Sequence, residues 1–188
     1  MRELIHAGAR LDAKNIDGYA PIHTSANKGD LPTLHELVEA GSSPAWRTFE
    51  NETSLSLACV GGHLDCVEYL VDKCKVDPGA RGYLEKTPLA NASSKGHLEI
   101  VKVLLRCGVH RLGSNAFQEA LFAVAMHGHI EVLRELINAE GGVHVNRANT
   151  AYSMRALHIT AGFCHPIATS MLLEAGADEF AEDRNGQT

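Results

Sequence analysis

The 188-residue sequence contains no apolar run approaching the roughly 18 residues that a membrane-crossing helix needs. Its start, Met1-Arg2-Glu3-Leu4-Ile5-His6, lacks the extended apolar core of a secretory leader. Basic charge is scarce. Lys and Arg number 17 against 23 Asp and Glu, and the net charge of −6 argues against a nucleic-acid binder, which draws on a basic surface. Cysteines are few and odd in number (Cys59, Cys66, Cys74, Cys107 and Cys164), with no C-x-x-C pair. That gives no basis for a disulfide framework or a zinc clip. Reduced, partly buried thiols and a cytoplasmic or nuclear setting are the expectation. The phosphate-binding G-x-x-x-x-G-K-[ST] and G-x-G-x-x-G motifs and the nucleophile motif G-x-S-x-G are also missing.

What the sequence has in abundance is itself. Five segments align on apolar anchors: APIHTSANKG from Ala20, TSLSLACVGG from Thr53, TPLANASSKG from Thr87, EALFAVAMHG from Glu119 and RALHITAGFC from Arg155. The anchors are Ile22, Leu55, Leu89, Leu121 and Leu157, spaced by 33, 34, 32 and 36 residues. A second apolar stretch follows each: LPTLHELVEAG, LDCVEYLVDKC, LEIVKVLLRCG, IEVLRELINAE and PIATSMLLEAG.

Each segment reads as a short helix followed by a longer, more amphipathic one. In the first helix small residues flank the anchor, as Ser25 and Ala26 follow Ile22, so neighbouring helices can approach closely. Pro21 and Pro88 suit a first helical position, where a missing N–H costs nothing, and Thr87 suits an N-cap. Gly29, Gly62, Gly96 and Gly128 end the first helix in a left-handed corner. In the second, Leu34, Leu37 and Val38, Val101, Leu104 and Leu105, and Leu133, Leu136 and Ile137 keep the i, i+3, i+4 spacing of a buried stripe. Asp65, Glu99 and Glu131 fall in its first turn, where a carboxylate favours the helix dipole. Gly8, Gly41, Gly108 and Gly176 mark its end. Turn-forming stretches such as NIDGYA from Asn15 suit a tight hairpin between units.

A helix–turn–helix of about 33 residues with T-P-L-H near its start resembles the ankyrin repeat. The resemblance is carried by Thr87-Pro88-Leu89 and Pro21-Ile22-His23. The G-H corners Gly62-His63, Gly96-His97 and Gly128-His129 carry it too, with Gly176-Ala177-Asp178 and the D-x-x-G-x-T opening from Asp183 to Thr188. It implies an all-α repeat solenoid of stacked antiparallel helix pairs with short hairpin loops. One domain over 1–188 is expected, with a partial repeat at 1–14, full repeats at about 15–47, 48–81, 82–113, 114–149 and 150–182, and the start of another at 183–188. Two partial ends suggest a piece of a longer array or larger protein. Departures from the pattern are expected at three places. Cys164 replaces a corner glycine, which predicts a rebuilt corner with Pro166 starting the next helix. The fourth repeat opens from Leu112 to Glu119 without the D-x-x-G-x-T-P pattern, predicting an irregular hairpin. Extra residues around Gly141 and Gly142 predict a projecting finger.

The eleven histidines need no metal or acid–base role. His23 and His158 take the T-P-L-H position and His63, His97, His129 and His165 the corner position, where the resemblance implies hydrogen bonds to backbone. His127 and His129 have H-x-H spacing with no third ligand nearby in sequence. No metal, cofactor or catalytic set is therefore expected, and the chain reads as a non-enzyme. The resemblance implies a monomeric protein–protein interaction module, and neither a nucleic-acid partner nor membrane insertion is expected. It would present a concave face of hairpin tips and first helices to a protein or peptide partner. Carried onto this sequence, the hairpin candidates are Ile16, Asp17, Tyr19, Phe49, Glu50, Glu52, Tyr83, Leu84 and Lys86, with Trp46 and Arg47 just before the second hairpin. First helices add Asn27, Lys28, Lys95, Met126, His127 and Phe163. The alternative is a regulatory or structural segment packed against other domains of a larger enzyme, channel or scaffold.

Overall fold

A computed structural model of the chain describes residues 3, 7–108, 116–140, 145–149 and 153–188. Among them are ten α-helices and no strand, only an isolated bridge between Arg47 and Thr53. The fold class is the all-α repeat array that the periodicity predicts. The chain divides into two compact units, Met1–Pro88 and Leu89–Thr188.

In the first unit, α1 (Pro21–Lys28) packs on α2 (Leu31–Glu39) and on α3 (Ser54–Gly61). Helix α3 packs in turn on α4 (Leu64–Glu68), which also meets α2. The anchors Ile22 and Leu55 are buried, as are Leu34 and Leu37 of α2, Val67 of α4 and Leu70 of the turn that follows it. Truncating one such leucine to Ala should cost about 2–5 kcal/mol, for lost apolar transfer plus the cavity left behind. The small residues of the first helices are buried with them: Ser25 and Ala26 in α1, Ala58 and Cys59 in α3.

The second unit holds α5 (Pro88–Lys95), α6 (Leu98–Arg106), α7 (Ala116–His127), α8 (Ile130–Glu140), α9 (Ala156–Gly162) and α10 (Pro166–Glu174). Helix α7 packs on α8 and α9, α9 on α10, and α8 on both α6 and α10. Leu89, Leu104, Leu121, Leu133, Leu136 and Leu172 are its fully buried large side chains, with Ile100 beside them. In the last repeat part of this core is polar: the Thr169 hydroxyl donates to that of Thr160 at 3.1 Å.

The corners carry the periodicity. Gly29, Gly62, Gly96 and Gly128 have φ of 71°, 78°, 75° and 72°, the left-handed region that only glycine enters without a Cβ penalty. Cys164 corrects one expectation. Its corner is not rebuilt, because the cysteine adopts the same conformation at φ 57° and α10 still begins at Pro166. The fourth repeat departs from the others as well. Its opening is helical from Ala116 onward, because Ala, Gln and Glu stand where other repeats have turn residues. The preceding 109–115 lie outside the described residues, as do Leu4, Ile5 and the expected finger at 141–144.

The spacing of 34 between Leu55 and Leu89 also finds its place. In repeats one, three and five the left-handed residue after the second helix follows the first corner by twelve residues: Gly29 to Gly41, Gly96 to Gly108, Cys164 to Gly176. In the second it follows by thirteen, from Gly62 to Lys75 at φ 55°. The extra residue is absorbed where α4 runs on as a π turn, Tyr69–Lys73, with the Cys74 N–H donating to the Tyr69 carbonyl at 3.1 Å. One wide turn of this kind accommodates an insertion without ending the helix.

Candidate partner-binding groove

Five of the histidines can be placed first, because they show what the polar residues of this fold are for. The His23 Nδ1 accepts the Ala20 N–H at 3.1 Å, so the proton sits on Nε2, which donates to the Trp46 carbonyl at 2.8 Å. His158 repeats this, accepting from Arg155 N–H and donating to Gln187. At the corners the Nε2 of His63, His129 and His165 reaches back one repeat, to the carbonyls of Asn27, Ser94 and Met126 at 3.0, 3.1 and 3.1 Å. Each ring lies against the preceding corner glycine. A Cβ built on Gly96 would stand 2.7 Å from His129 Nδ1, and one on Gly128 2.8 Å from the His165 ring. These histidines tie adjacent repeats and face no substrate. Among the described residues no three His, Cys, Asp or Glu side chains are grouped to hold a metal ion.

The hairpins are closed by their backbones. The N–H of Asn15, Thr48, Gly82, Asn149 and Asp183 donates to the carbonyl of Tyr19, Glu52, Lys86, Met154 and Gln187 in turn, at 2.8–3.0 Å. Side chains of the first residue reinforce the closure. Asn15 Oδ1 accepts from Asp17 and Tyr19 N–H, and Asp183 Oδ1 from Asn185 and Gln187 N–H. Those bonds to the carboxylate hold the Asp183 pKa below its usual value.

Between the first two hairpins and the edge of α1 lies an open groove of about 630 Å³. It is lined by Asn15, Ile16, Asp17, Tyr19, Thr24, Asn27, Phe49 and Glu50. Ile16 is 94% exposed and Phe49 69%, large apolar side chains held in water at the tips. Phe49 is held in place by Gly18, whose missing Cβ leaves room for the ring and for the Phe49 backbone N–H, while the Lys14 ammonium lies 5.2 Å from the ring centre. Six residues expected from the sequence thus meet in one place: Ile16, Asp17, Tyr19, Asn27, Phe49 and Glu50. Asn15 and Thr24 were missed. Thr24 was findable, since it stands three residues before Asn27 and so shares its helix face.

A model of the family described as Ankyrin repeats (3 copies) matches residues 1–82, 22–114 and 89–183. The chain belongs to the ankyrin-repeat family. The ankyrin repeat and KH domain-containing protein mask-1 of Caenorhabditis elegans is 34% identical over 97% of this chain but only 7% of its own length. The ankyrin repeat and SOCS box protein 3 of Homo sapiens is 28% identical, covering 70% of this chain and 32% of its own. The liver isoform of mitochondrial glutaminase of Rattus norvegicus is 29% identical over 54% of this chain and 18% of that protein. The chain therefore spans less than a third of the length of each. Ankyrin repeats are in general protein–protein interaction modules and not catalysts. Among the described residues no helix is long and apolar enough to cross a membrane.

Other expected contact residues of this ankyrin-repeat chain have different employment. Arg47 Nη1 donates to the carbonyls of Asn51 and Arg81 and to Asn51 Oδ1, so the guanidinium ties the second hairpin to the chain leading into the third. Trp46 is half-buried and its carbonyl serves His23. Glu52 is a correction: only 9% exposed, it is not a hairpin-tip residue. The cause is a local departure from the ankyrin pattern. Ser56 stands where His23 and His158 stand in their repeats, and its hydroxyl, bonded to Thr53, is too short to reach the next hairpin. The Glu52 carboxylate turns inward to fill the space and accepts from the Ser56 hydroxyl. The third hairpin begins with Gly82 for the same reason, since a Cβ there would meet the Glu52 carboxylate.

Tyr83, Leu84 and Lys86 are exposed on the third hairpin and do not line the groove. Lys28 is exposed at the end of α1. In the second unit Lys95, Met126, His127 and Phe163 are exposed at the ends of first helices. There Phe163 stacks on His165 with centroids 6.4 Å apart and His127 on His129 at 6.0 Å.

Proposed function

We propose that this ankyrin-repeat chain binds a protein or peptide partner through its hairpin tips and the exposed edges of its first helices, with the groove of the first unit as an anchoring point. The observation that carries the reading is that groove, because it gathers exposed Ile16 and Phe49 with Tyr19 beside polar side chains. Aromatic anchors bordered by polar groups are the composition of interface hot spots. Tyr83, Leu84, Met126 and Phe163 extend the set of exposed apolar side chains on the elements that ankyrin-like modules use. A second reading has its own support. The relatives are each more than three times the length matched, so the partner surface could belong to another domain of the same polypeptide.

The test is substitution on a captured partner. Phe49→Ala should weaken its binding by about 2 kcal/mol, the scale of a hot-spot truncation. Glu68→Ala and Lys102→Ala, on second helices, should leave it unchanged, with all three variants checked for folding by thermal melting. Binding lost with the second-helix changes and kept with Phe49→Ala would reverse the face assignment.

A further inference from the structure

If the groove of the first unit takes a partner, its lining decides which side chain enters. The charged residues that line it are Asp17 and Glu50, both acidic, and no lysine or arginine is among its lining residues. Among the described residues neither carboxylate forms an ion pair. Both are exposed, so their charge is not spent within the fold. Two aromatic rings share the lining with them, half-buried Tyr19 and exposed Phe49. The Tyr19 hydroxyl carries the mark of this environment: its pKa is raised by burial first and then by the carboxylates of Glu52, Glu50 and Asp17.

The cations that flank these residues in sequence, Lys14, Lys28 and Arg47, lie outside the groove lining, and Arg47 is committed to Asn51 and Arg81. Lys14 donates to the Arg47 carbonyl at 2.8 Å and Lys28 lies beyond Asn27 on α1; neither lines the groove. Lys14 nevertheless shows what the Phe49 ring attracts, for its ammonium sits 5.2 Å from the ring centre. The negative face of an aromatic ring draws a cation, and more so where carboxylates add to the field. A groove of about 630 Å³, within the roughly 300–1,000 Å³ of small-ligand sites, has room for a long side chain and the backbone that presents it.

We propose that the groove between the first two hairpins is a receptor for a cationic side chain, a lysine or arginine presented by an extended basic segment of a partner protein. The aliphatic stem lies along Tyr19 and Phe49, and the charged head is held by Asp17 and Glu50. The net charge of −6 adds a long-range attraction for such a segment, which raises the rate of encounter.

The experiment presents the whole 188-residue chain to a display library of random nine-residue peptides and synthesises the enriched sequences. Enrichment of Arg or Lys at one position is expected. Replacing that residue by citrulline, which keeps the shape of arginine without its charge, should weaken binding by about tenfold, the loss expected for a charge-assisted contact. Asp17→Asn with Glu50→Gln should weaken the Arg peptide to a similar degree and leave the citrulline peptide unchanged. Both positions are exposed, so the variant should melt as the parent does. Enrichment of acidic or purely apolar peptides, equal binding of the citrulline form, or indifference to the double substitution would overturn the cation proposal. Apolar peptides that bind and are lost with Phe49→Ala would leave the groove as the partner site while removing the cation. Binders indifferent to Phe49→Ala, or a library yielding none, would count against both.

Discussion

Gly96→Ala offers the sharpest measure of how the corners hold this fold. The residue has φ 75°, and an alanine held in the left-handed region costs about 1 kcal/mol. The new Cβ would also stand 2.7 Å from His129 Nδ1 and 3.0 Å from its neighbours in the ring. The imidazole must move, and its Nε2–H loses the Ser94 carbonyl, now 3.1 Å away, at a further cost of about 1 kcal/mol. The single substitution should therefore destabilise by about 2 kcal/mol, or some 4–8 °C in melting temperature for a chain of this size. With His129→Ala already in place the clash and the bond are both gone, and the same Gly96→Ala should cost only about 1 kcal/mol. Urea unfolding of the four proteins, followed by circular dichroism, closes the cycle. A cost for Gly96→Ala that is the same with and without His129 refutes the reasoning, because ring and corner would then not be in contact.

Other perturbations test other parts of the structure. Burial, and next to it Lys14, lowers the His23 pKa, so the unfolded chain binds that proton more readily. The site's stabilisation is fully present above the unfolded value of about 6.5 and is lost as pH falls from there through the folded-state value. The urea midpoint should fall over that window, and His23→Asn, which cannot titrate, should show a smaller fall. Ser56→Ala removes the hydroxyl donor of the buried Glu52 carboxylate and should cost about 1–3 kcal/mol. Glu52→Ala combined with it should cost less than the two separate losses added, and strict additivity in denaturation would contradict the pairing. Cys164, exposed at its corner, should react with a thiol reagent in the native state. Cys59, fully buried and with its pKa pushed up by that burial, should react only on unfolding, and equal rates would show that the α3 core opens.

Much of this was legible in the sequence because the period repeats the same physical demand. Ile22, Leu55, Leu89 and Leu121 could be aligned by eye, and each is buried because each fills the same slot. The corner glycines were legible for the same reason. The spacing of 34 announced an extra residue but not its location, since Tyr69 to Lys73 reads as ordinary amphipathic helix. Only the backbone reveals the wide turn. Glu52 was misread as a tip residue because its neighbours Phe49 and Glu50 are tip residues. The signal was Ser56 four positions on, too short for its role, and translating that deficit into an inward carboxylate needs the three-dimensional space. Cys164 was read by its own cost in a left-handed corner, whereas the surrounding helix ends impose that conformation. Of the groove, the aromatic and acidic residues were found because they recur at hairpin positions. Thr24 was not, although its place three residues before Asn27 puts it on the same helix face.

The way the hairpins are closed has a consequence for how such a chain can change. Ile16 and Asp17 of the first hairpin and Glu50 of the second contribute no side chain to the closure of their own hairpins. The residues at the base do that, by exchanging backbone bonds and, at Asn15 and Asp183, by side-chain bonds to backbone N–H groups. Stability and recognition are thus written in separate letters of the same short segment. Substitutions at the tips can alter what is recognised while the melting temperature stays where it was. A lineage of such chains can therefore move from one partner to another through folded intermediates, with no unstable ancestor on the way.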